Sequence, residues 1–221
     1  MILQEDFGLI LAAAGLGSRF GSGVPKQFWE LDGRPLYLHA LDPFLDVVAE
    51  AVVVVPSGWV DKISAQIRSL SVRTPIRIQE GGATRQGSVS AGLQKLTSNC
   101  RFVLVHDAAR PYVSAGLIES VVNGTKMHKS SVPVVPVRDT VKVVEHNVVV
   151  RTVDRRTLCL TQTPQGFELK LLQRALNAAA SEEVQGTDES SIVESLGETV
   201  HVVEGETGNI KVTWPEDLRR T

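Results

Sequence analysis

Apolar runs alternate with amphipathic stretches from residue 9 to residue 137. The run 9–14 is short, apolar and closed by glycine, which predicts a buried strand. Residues 35–45 follow a helical pattern, with Pro35 suited to the first turn. Valine-rich 49–55 predicts a second buried strand. Residues 59–70 predict a helix with Ile63, Ile67 and Leu70 on one face. A third strand at 75–79 ends in Gly81-Gly82, and a helix over 84–96 follows. A fourth strand at 101–105 runs into His106-Asp107-Ala108-Ala109-Arg110-Pro111, followed by a helix over 114–128. A fifth strand at 131–137 carries Pro133 and Pro136, which argue for an edge position or a bulge. Strands alternating with helices predict an α/β fold: a Rossmann-like, doubly wound, mainly parallel sheet covered on both faces.

The alternation then stops. Residues 140–153 alternate as a β-hairpin turning at Glu145-His146-Asn147. A two-stranded hairpin is marginal alone in water, and no helical pattern covers this one. It is expected to protrude and pack either on a partner subunit or on the protein's own edge. Thr163-Pro164-Gln165 reads as a turn, and 168–180 as a helix rich in alanine and leucine. Gly186-Thr187-Asp188-Glu189 opens another helix, with Thr187 as its cap. A late strand at 199–203 precedes Thr213-Trp214-Pro215-Glu216, a capping-box start to a final helix.

With 221 residues, 43% apolar and 22% charged, the chain has material for one large α/β domain with a sizeable core and an appendage. A formal net charge of −2 provides no global basic field for nucleic acid, so a polyanion site must be local. The apolar runs fall far short of the ~18 residues of a membrane span. The acidic start, Met1-Ile2-Leu3-Gln4-Glu5-Asp6, lacks a signal-peptide pattern. Cys100 and Cys159 lie far apart without metal spacing, as expected of reduced thiols in a cytoplasmic protein.

The first strand feeds Gly15, Gly17, Gly21 and Gly23, with Arg19 and Lys26 in or just after the loop. Successive backbone N–H groups in such a loop form an anion-binding concavity. Arg19 adds a planar fork and Lys26 a mobile point charge, so the loop reads as a polyphosphate holder. A P-loop is excluded because the lysine lies between Pro25 and Gln27 rather than before Ser or Thr. A dinucleotide fingerprint is disfavoured, since Phe20 takes the third glycine position and the second strand ends in Pro56-Ser57-Gly58 without an acid. That weighs against a nicotinamide-dependent oxidoreductase.

Ligands of open α/β sheets bind outside the carboxyl ends of the strands. The glycine loop, residues 81–88 and residues 106–110 converge there and suggest a nucleotide pocket. Asp107 suits ribose hydroxyls, acceptor hydroxyls or a metal, or else caps the next backbone turn. His106, its neighbour along the strand, points the other way and reads as structural. His39, His128, His146 and His201 are scattered and suggest no metal cluster.

The motifs Ala13-Ala14-Gly15-Leu16-Gly17-Ser18-Arg19, Pro25-Lys26-Gln27, Gly81-Gly82, Arg85, Ser88 and His106-Asp107-Ala108-Ala109-Arg110 occur in order. So do Arg138-Asp139-Thr140, Thr152-Val153-Asp154-Arg155, Thr163-Pro164-Gln165, Thr187-Asp188-Glu189 and Asn209-Ile210-Lys211. Together they resemble the 2-C-methyl-D-erythritol 4-phosphate cytidylyltransferase family over nearly the whole chain. The resemblance implies transfer of a cytidylyl group from CTP to methylerythritol phosphate, with release of pyrophosphate, in non-mevalonate isoprenoid synthesis. By it, Arg19 and Lys26 are catalytic and stabilise the five-coordinate α-phosphate. Ala13, Gly82 and Ser88 face the cytosine, and Gly15 and Ala108 the ribose. Ala14, Gly17, Ser18, Arg85 and Asp107 complete the nucleotide site. Arg155 and Lys211 hold methylerythritol phosphate, assisted by Asp107, Thr140, Thr163 and Thr187, with Arg110 ordering the wall. The implied cofactor is Mg²⁺, held mainly by phosphates with Asp107 as a candidate ligand. The implied assembly is a homodimer through a hairpin arm at 138–156, within one nucleotidyltransferase domain over 1–221; Thr140 and Arg155 on that arm would reach the neighbouring subunit's site. No nucleic acid or membrane partner is implied. Two positions depart from the family: Ala83 replaces a frequent acid, and Ser18 a frequent second cation. Ribitol-phosphate cytidylyltransferases share the scaffold, but Thr152-Val153-Asp154-Arg155 favours methylerythritol phosphate.

Overall fold

The structure is a computed structural model that describes residues 4–15, 24–97 and 100–219. Its strands are β1 (Gln4–Ala12), β2 (Glu30–Leu31), β3 (Arg34–Pro35), β4 (Val48–Val55), β5 (Ile76–Glu80), β6 (Phe102–Asp107), β7 (Ser130–Pro136), β8 (Val141–Glu145), β9 (Val148–Val153), β10 (Cys159–Thr161), β11 (Gln165–Glu168) and β12 (His201–Glu204). The α-helices are α1 (Leu36–Leu41), α2 (Val60–Arg68), α3 (Arg85–Leu93), α4 (Ala115–His128), α5 (Leu169–Ser181) and α6 (Glu189–Ser195).

Central β1 runs parallel to β4 and β6, and β5 extends the parallel set beyond β4. Side-chain alternation assigns the two faces. Leu9, Leu11, Val53 and Leu104 pack with Tyr37 and Leu41 of α1, Ile63 of α2 and Ile118 and Val121 of α4. Ile10, Val52, Val54, Val103 and Val105 pack on the opposite face with Val89 of α3, Leu172 and Leu176 of α5 and Ile192 of α6. Both faces are thus covered, as the alternating pattern requires.

The expected α/β fold is present, and the sheet proves mixed around its parallel core. β11 pairs antiparallel with β6 and β7, and β10 antiparallel with β7. The sequence pattern concealed both strands, because they are short and flank a turn at the cis peptide Thr163–Pro164. Of the two expectations for 131–137, an edge position or a bulge, the edge is corrected: β7 has β12 on one side and β10 and β11 in succession on the other. Pro133 keeps half of its ladder pairing in this interior strand, since its carbonyl accepts from the N–H of Gln162 at 2.8 Å. Its missing N–H faces that same side, at the junction between β10 and β11 where the ladder is interrupted.

Other boundaries shift for local reasons. The helix expected over 35–45 ends at Leu41 and gives way to a 3-10 turn at Asp42–Phe44. Asp188, not Thr187, caps α6, and Ser191 returns the bond to close a capping box. At the C-terminal end Asp217, rather than Glu216, accepts from the N–H groups of Thr213 (2.8 Å) and Trp214 (2.9 Å), and a 3-10 turn follows at Pro215–Arg219.

β8 and β9 form a separate antiparallel hairpin. His146 (φ 47°) and Asn147 (φ 64°) turn it with two positive-φ residues, as the twist of a tight hairpin demands. Val144, Val148, Val149 and Val150 on it are each more than half exposed.

Candidate active site

A cleft of about 890 Å³ opens at the carboxyl ends of β1, β4, β5 and β6. Ala12, Ala14, Gly15, Lys26 and Gln27 form one wall, and residues 81–85 with Ser88 another. Pro56 and Ser57 follow β4, Asp107 ends β6 and Ala109 lies just beyond it, and Lys211 and Thr213 complete the lining. Nothing in the sequence pattern singles out Pro56, Ser57 or Thr213 as lining. Gly17, Ser18 and Arg19 lie outside the described residues.

Lys26 begins a 3-10 turn at Lys26–Phe28, and its Nζ donates to the carbonyl of Val212 at 2.7 Å. The N-terminal cation therefore meets the C-terminal segment that carries Lys211. Val212 is itself tied down by its N–H to the carbonyl of Ala109 at 2.8 Å. Buried Asn209 donates to the Thr163 carbonyl at 2.8 Å, and Gln162 donates to the Glu206 carbonyl at 2.7 Å. These bonds dock the segment before Lys211 against the sheet.

The second wall is built by a helix start. Thr84 caps α3 by accepting from the Gly87 N–H at 3.0 Å. Ser88 donates to the Thr84 carbonyl at 2.8 Å and faces Gly82. Gly81 leaves no room for a side chain: a Cβ there would stand 2.5 Å from Ala14 Cβ and 2.8 Å from Ser88 Oγ. Gly81→Ala is expected to cost about 1–3 kcal/mol by overpacking and to raise KM for the nucleotide, as thermal melts and steady-state kinetics would show.

Asp107 sits at the end of β6, buried on the cleft floor. Its Oδ1 accepts from Arg85 Nη1, and its Oδ2 pairs with Lys211 Nζ at 2.7 Å. Arg110 Nε lies 3.9 Å from the same Oδ2. Burial pushes this carboxyl up, but Arg85, Lys211 and Arg110 more than offset that and hold it well below the usual carboxylate range. Arg85 extends the chain of charges, donating from Nη2 to Glu189 Oε2 at 2.7 Å. Burial pushes Glu189 above the ordinary carboxyl range, and Arg85 opposes the shift. In the sequence Glu189 reads only as a first-turn acid; its role as Arg85's second partner depends on α6 docking beside α3.

His106 is fully buried, between the Arg110 carbonyl (3.1 Å) and Thr163 Oγ1 (3.0 Å). Burial lowers it to about 4, so it is neutral at physiological pH. This fits the structural role expected of it.

Several expected contact residues lie elsewhere. Thr163 is buried beneath the site, where its Oγ1 accepts from the Asp107 N–H at 3.1 Å, so it positions Asp107 instead of facing the cleft. Ala13 and Ala108 are buried, which leaves them only backbone roles. Arg110 donates to the Asn209 carbonyl at 2.8 Å. Thr140 and Arg155 lie exposed at the hairpin's base, outside the cleft lining, with Arg155 donating to the Arg138 carbonyl. Thr187 is exposed just before α6 and is also absent from the lining.

Both oxygens of Asp107, the candidate metal ligand, are paired with cations in this structure. Among the described residues no three His, Cys, Asp or Glu side chains cluster to hold a metal ion. Arg85, Arg110 and Lys211 gather on buried Asp107, Arg85 also on buried Glu189, and Lys26 stands in the cleft wall.

A glycine-walled, cation-rich cleft at the carboxyl ends of parallel strands suits a phosphorylated nucleotide, as a nucleotidyltransferase requires. Sequence comparison narrows the class: residues 7–221 match IspD, 2-C-methyl-D-erythritol 4-phosphate cytidylyltransferase, and the chain belongs to that family. The relative from Carboxydothermus hydrogenoformans is 38% identical over 97% of this chain and 93% of its own length. That from Bacillus cereus is 41% identical over 96% and 94%. Among solved structures, the Thermus thermophilus cytidylyltransferase superposes with a TM-score of 0.79 at 36% identity, covering 96% of this chain and 94% of that one. The Anaerococcus prevotii 4-diphosphocytidyl-2C-methyl-D-erythritol synthase gives 0.84 at 30% identity, covering 97% and 95%. The chain is accordingly a cytidylyltransferase of the methylerythritol phosphate route to isoprenoids.

Proposed function

We propose that the cleft binds CTP and 2-C-methyl-D-erythritol 4-phosphate together and directs in-line transfer. A 4-phosphate oxygen attacks the α-phosphorus of CTP; the new P–O bond forms as the bond to the β-phosphate oxygen breaks, and pyrophosphate leaves. A phosphate monoester is largely ionised at neutral pH, so its oxygen needs no strong base. The obstacle is repulsion between two anions, and catalysis is positioning and charge neutralisation. The observation that carries this reading is Lys26 in the cleft lining with Gly15, held by the segment that carries Lys211, which is itself paired with Asp107.

In this reading Arg19 and Lys26 neutralise the α-phosphate. Ala14, Gly15, Gly17 and Ser18 cradle the triphosphate, and the ribose lies by Ala108. Cytosine lies against Gly82, Ser88 and the backbone of Ala13. Lys211 takes the acceptor phosphate, while Arg85 and Arg110 hold Asp107 for the acceptor's hydroxyls. Mg²⁺ arrives with CTP on the phosphate oxygens, as part of the substrate. No helix in the described residues is long and apolar enough to cross a membrane; in this reading the reaction is cytoplasmic, since reactants this highly charged do not cross a membrane unaided. Pyrophosphate release with CTP tests the acceptor: methylerythritol phosphate is expected to turn over and ribitol phosphate to be a poor substitute. The reverse preference would overturn the assignment.

The single domain over 1–221 would dimerise through its arm at 138–156. Val144, Val148, Val149 and Val150 on the arm, and Leu160 on β10, are apolar side chains left more than half exposed. Thr140 and Arg155 at the arm's base, and Thr187 near α6, would then complete a site shared between copies. Arg155→Ala mixed with Lys26→Ala is expected to form heterodimers with one restored site. Activity no higher than that of the separate variants would mean that each site is built within one chain.

A further inference from the structure

We infer that Gln27 is a positioning residue for the polyphosphate loop, an inference that rests on reading that loop as the CTP phosphate site. Gln27 is only 3% exposed. Its Nε2 donates to the carbonyl of Ala13 and, at 2.9 Å, to that of Gly15. Both partners are carbonyl oxygens, which only accept, so the NH₂ end of the amide must face them. Both amide hydrogens are therefore committed to the loop's backbone.

This clamp decides which edge of the loop faces the cleft. In a trans peptide the C=O and the following N–H point in opposite directions. Holding the Ala13 carbonyl toward Gln27 turns the Ala14 N–H away from it, and Ala14 lines the cleft. A carbonyl aimed at a triphosphate repels it, whereas a backbone N–H attracts it. The clamp also couples the loop to the catalytic lysine, since Gln27 is the middle residue of the Lys26–Phe28 turn. Phe28 anchors that turn, stacked on Trp59 at 4.2 Å and edge-on to Tyr37 at 5.7 Å. One side chain thus fixes loop carbonyls and Lys26 in a common frame.

Gln27→Glu tests this with little change of shape. An ionised carboxylate donates nothing and repels both carbonyls, while a protonated one donates a single hydrogen. Pyrophosphate release would be measured for variant and wild type across neutral and mildly acidic pH, with the ratio taken at each pH. The expected result is a loss of about 10²-fold in kcat/KM for CTP at the alkaline end, as for a displaced reacting group. KM for the acceptor should stay near wild type, and the deficit should shrink as acid protonates the new carboxyl. Wild-type kcat/KM for CTP throughout, or an equal and pH-independent loss on both substrates, would overturn the inference. If this variant does not fold, Gln27→Met fills the same space without donating; the same CTP-selective loss is expected, and its absence counts against the clamp. Lys26→Ala serves as the control. If it too leaves CTP kinetics unchanged, the loop reading fails; if it is impaired while the Gln27 variants are normal, only the clamp fails.

Discussion

Lys26→Ala is expected to lower kcat by about 10²–10³, the usual consequence of removing one preorganised charge that meets charge developing in the transition state. The lysine sits in the cleft wall, and its ammonium is 2.7 Å from the Val212 carbonyl. A carbonyl is a weak partner for an ammonium compared with a triphosphate, so the side chain can exchange one for the other when CTP arrives. The loss should fall mainly on kcat, because the charge matters most when the α-phosphorus is five-coordinate. An unchanged melting temperature would establish that the fold survives. Near-full turnover in a folded variant would remove Lys26 from catalysis.

Asp107→Asn is expected to cost about 3–5 kcal/mol at neutral pH, as for a buried charge network that loses one partner. The substitution leaves Arg85, Lys211 and Arg110 crowded around a neutral amide, with Glu189 the remaining carboxylate of the group. The sign of the pH dependence follows from linkage. The folded state holds this carboxyl well below its ordinary value of 3.8, so its stabilisation is present above that pH. It fades as pH falls from there toward the folded-state value, because the unfolded chain takes up the proton first. Denaturant titrations should therefore show the gap between wild type and Asp107→Asn at its widest near neutrality and closing in acid. A gap that widens with acid would mean that Asp107 is not held as an ion.

The parallel core was legible because its signal is local. Buried strands such as 49–55 are continuous valine runs, and glycine marks the loops that leave them. β10 and β11 were not legible: three- and four-residue strands around a proline lack the length for a period, and only pairing to β6 and β7 defines them. The interior position of β7 was not legible either, since prolines in a strand pattern mark an edge and a bulge alike. At the site, Lys26, Gly82, Ser88 and Asp107 could be placed by their position after strands. Thr163 could not, because a hydroxyl facing the ligand and one holding the Asp107 backbone look alike in sequence. Gln27 and Glu189 act on partners 14 and 104 residues away, respectively, at a range no periodicity reports.

A crystal structure of this chain soaked with CTP puts the central claim to its most direct test. The triphosphate is expected against Gly15 and the residues that follow it, with the Lys26 ammonium moved from the Val212 carbonyl onto phosphate oxygens and the base beside Gly82 and Ser88. A triphosphate bound elsewhere, with Lys26 still on Val212, would contradict it.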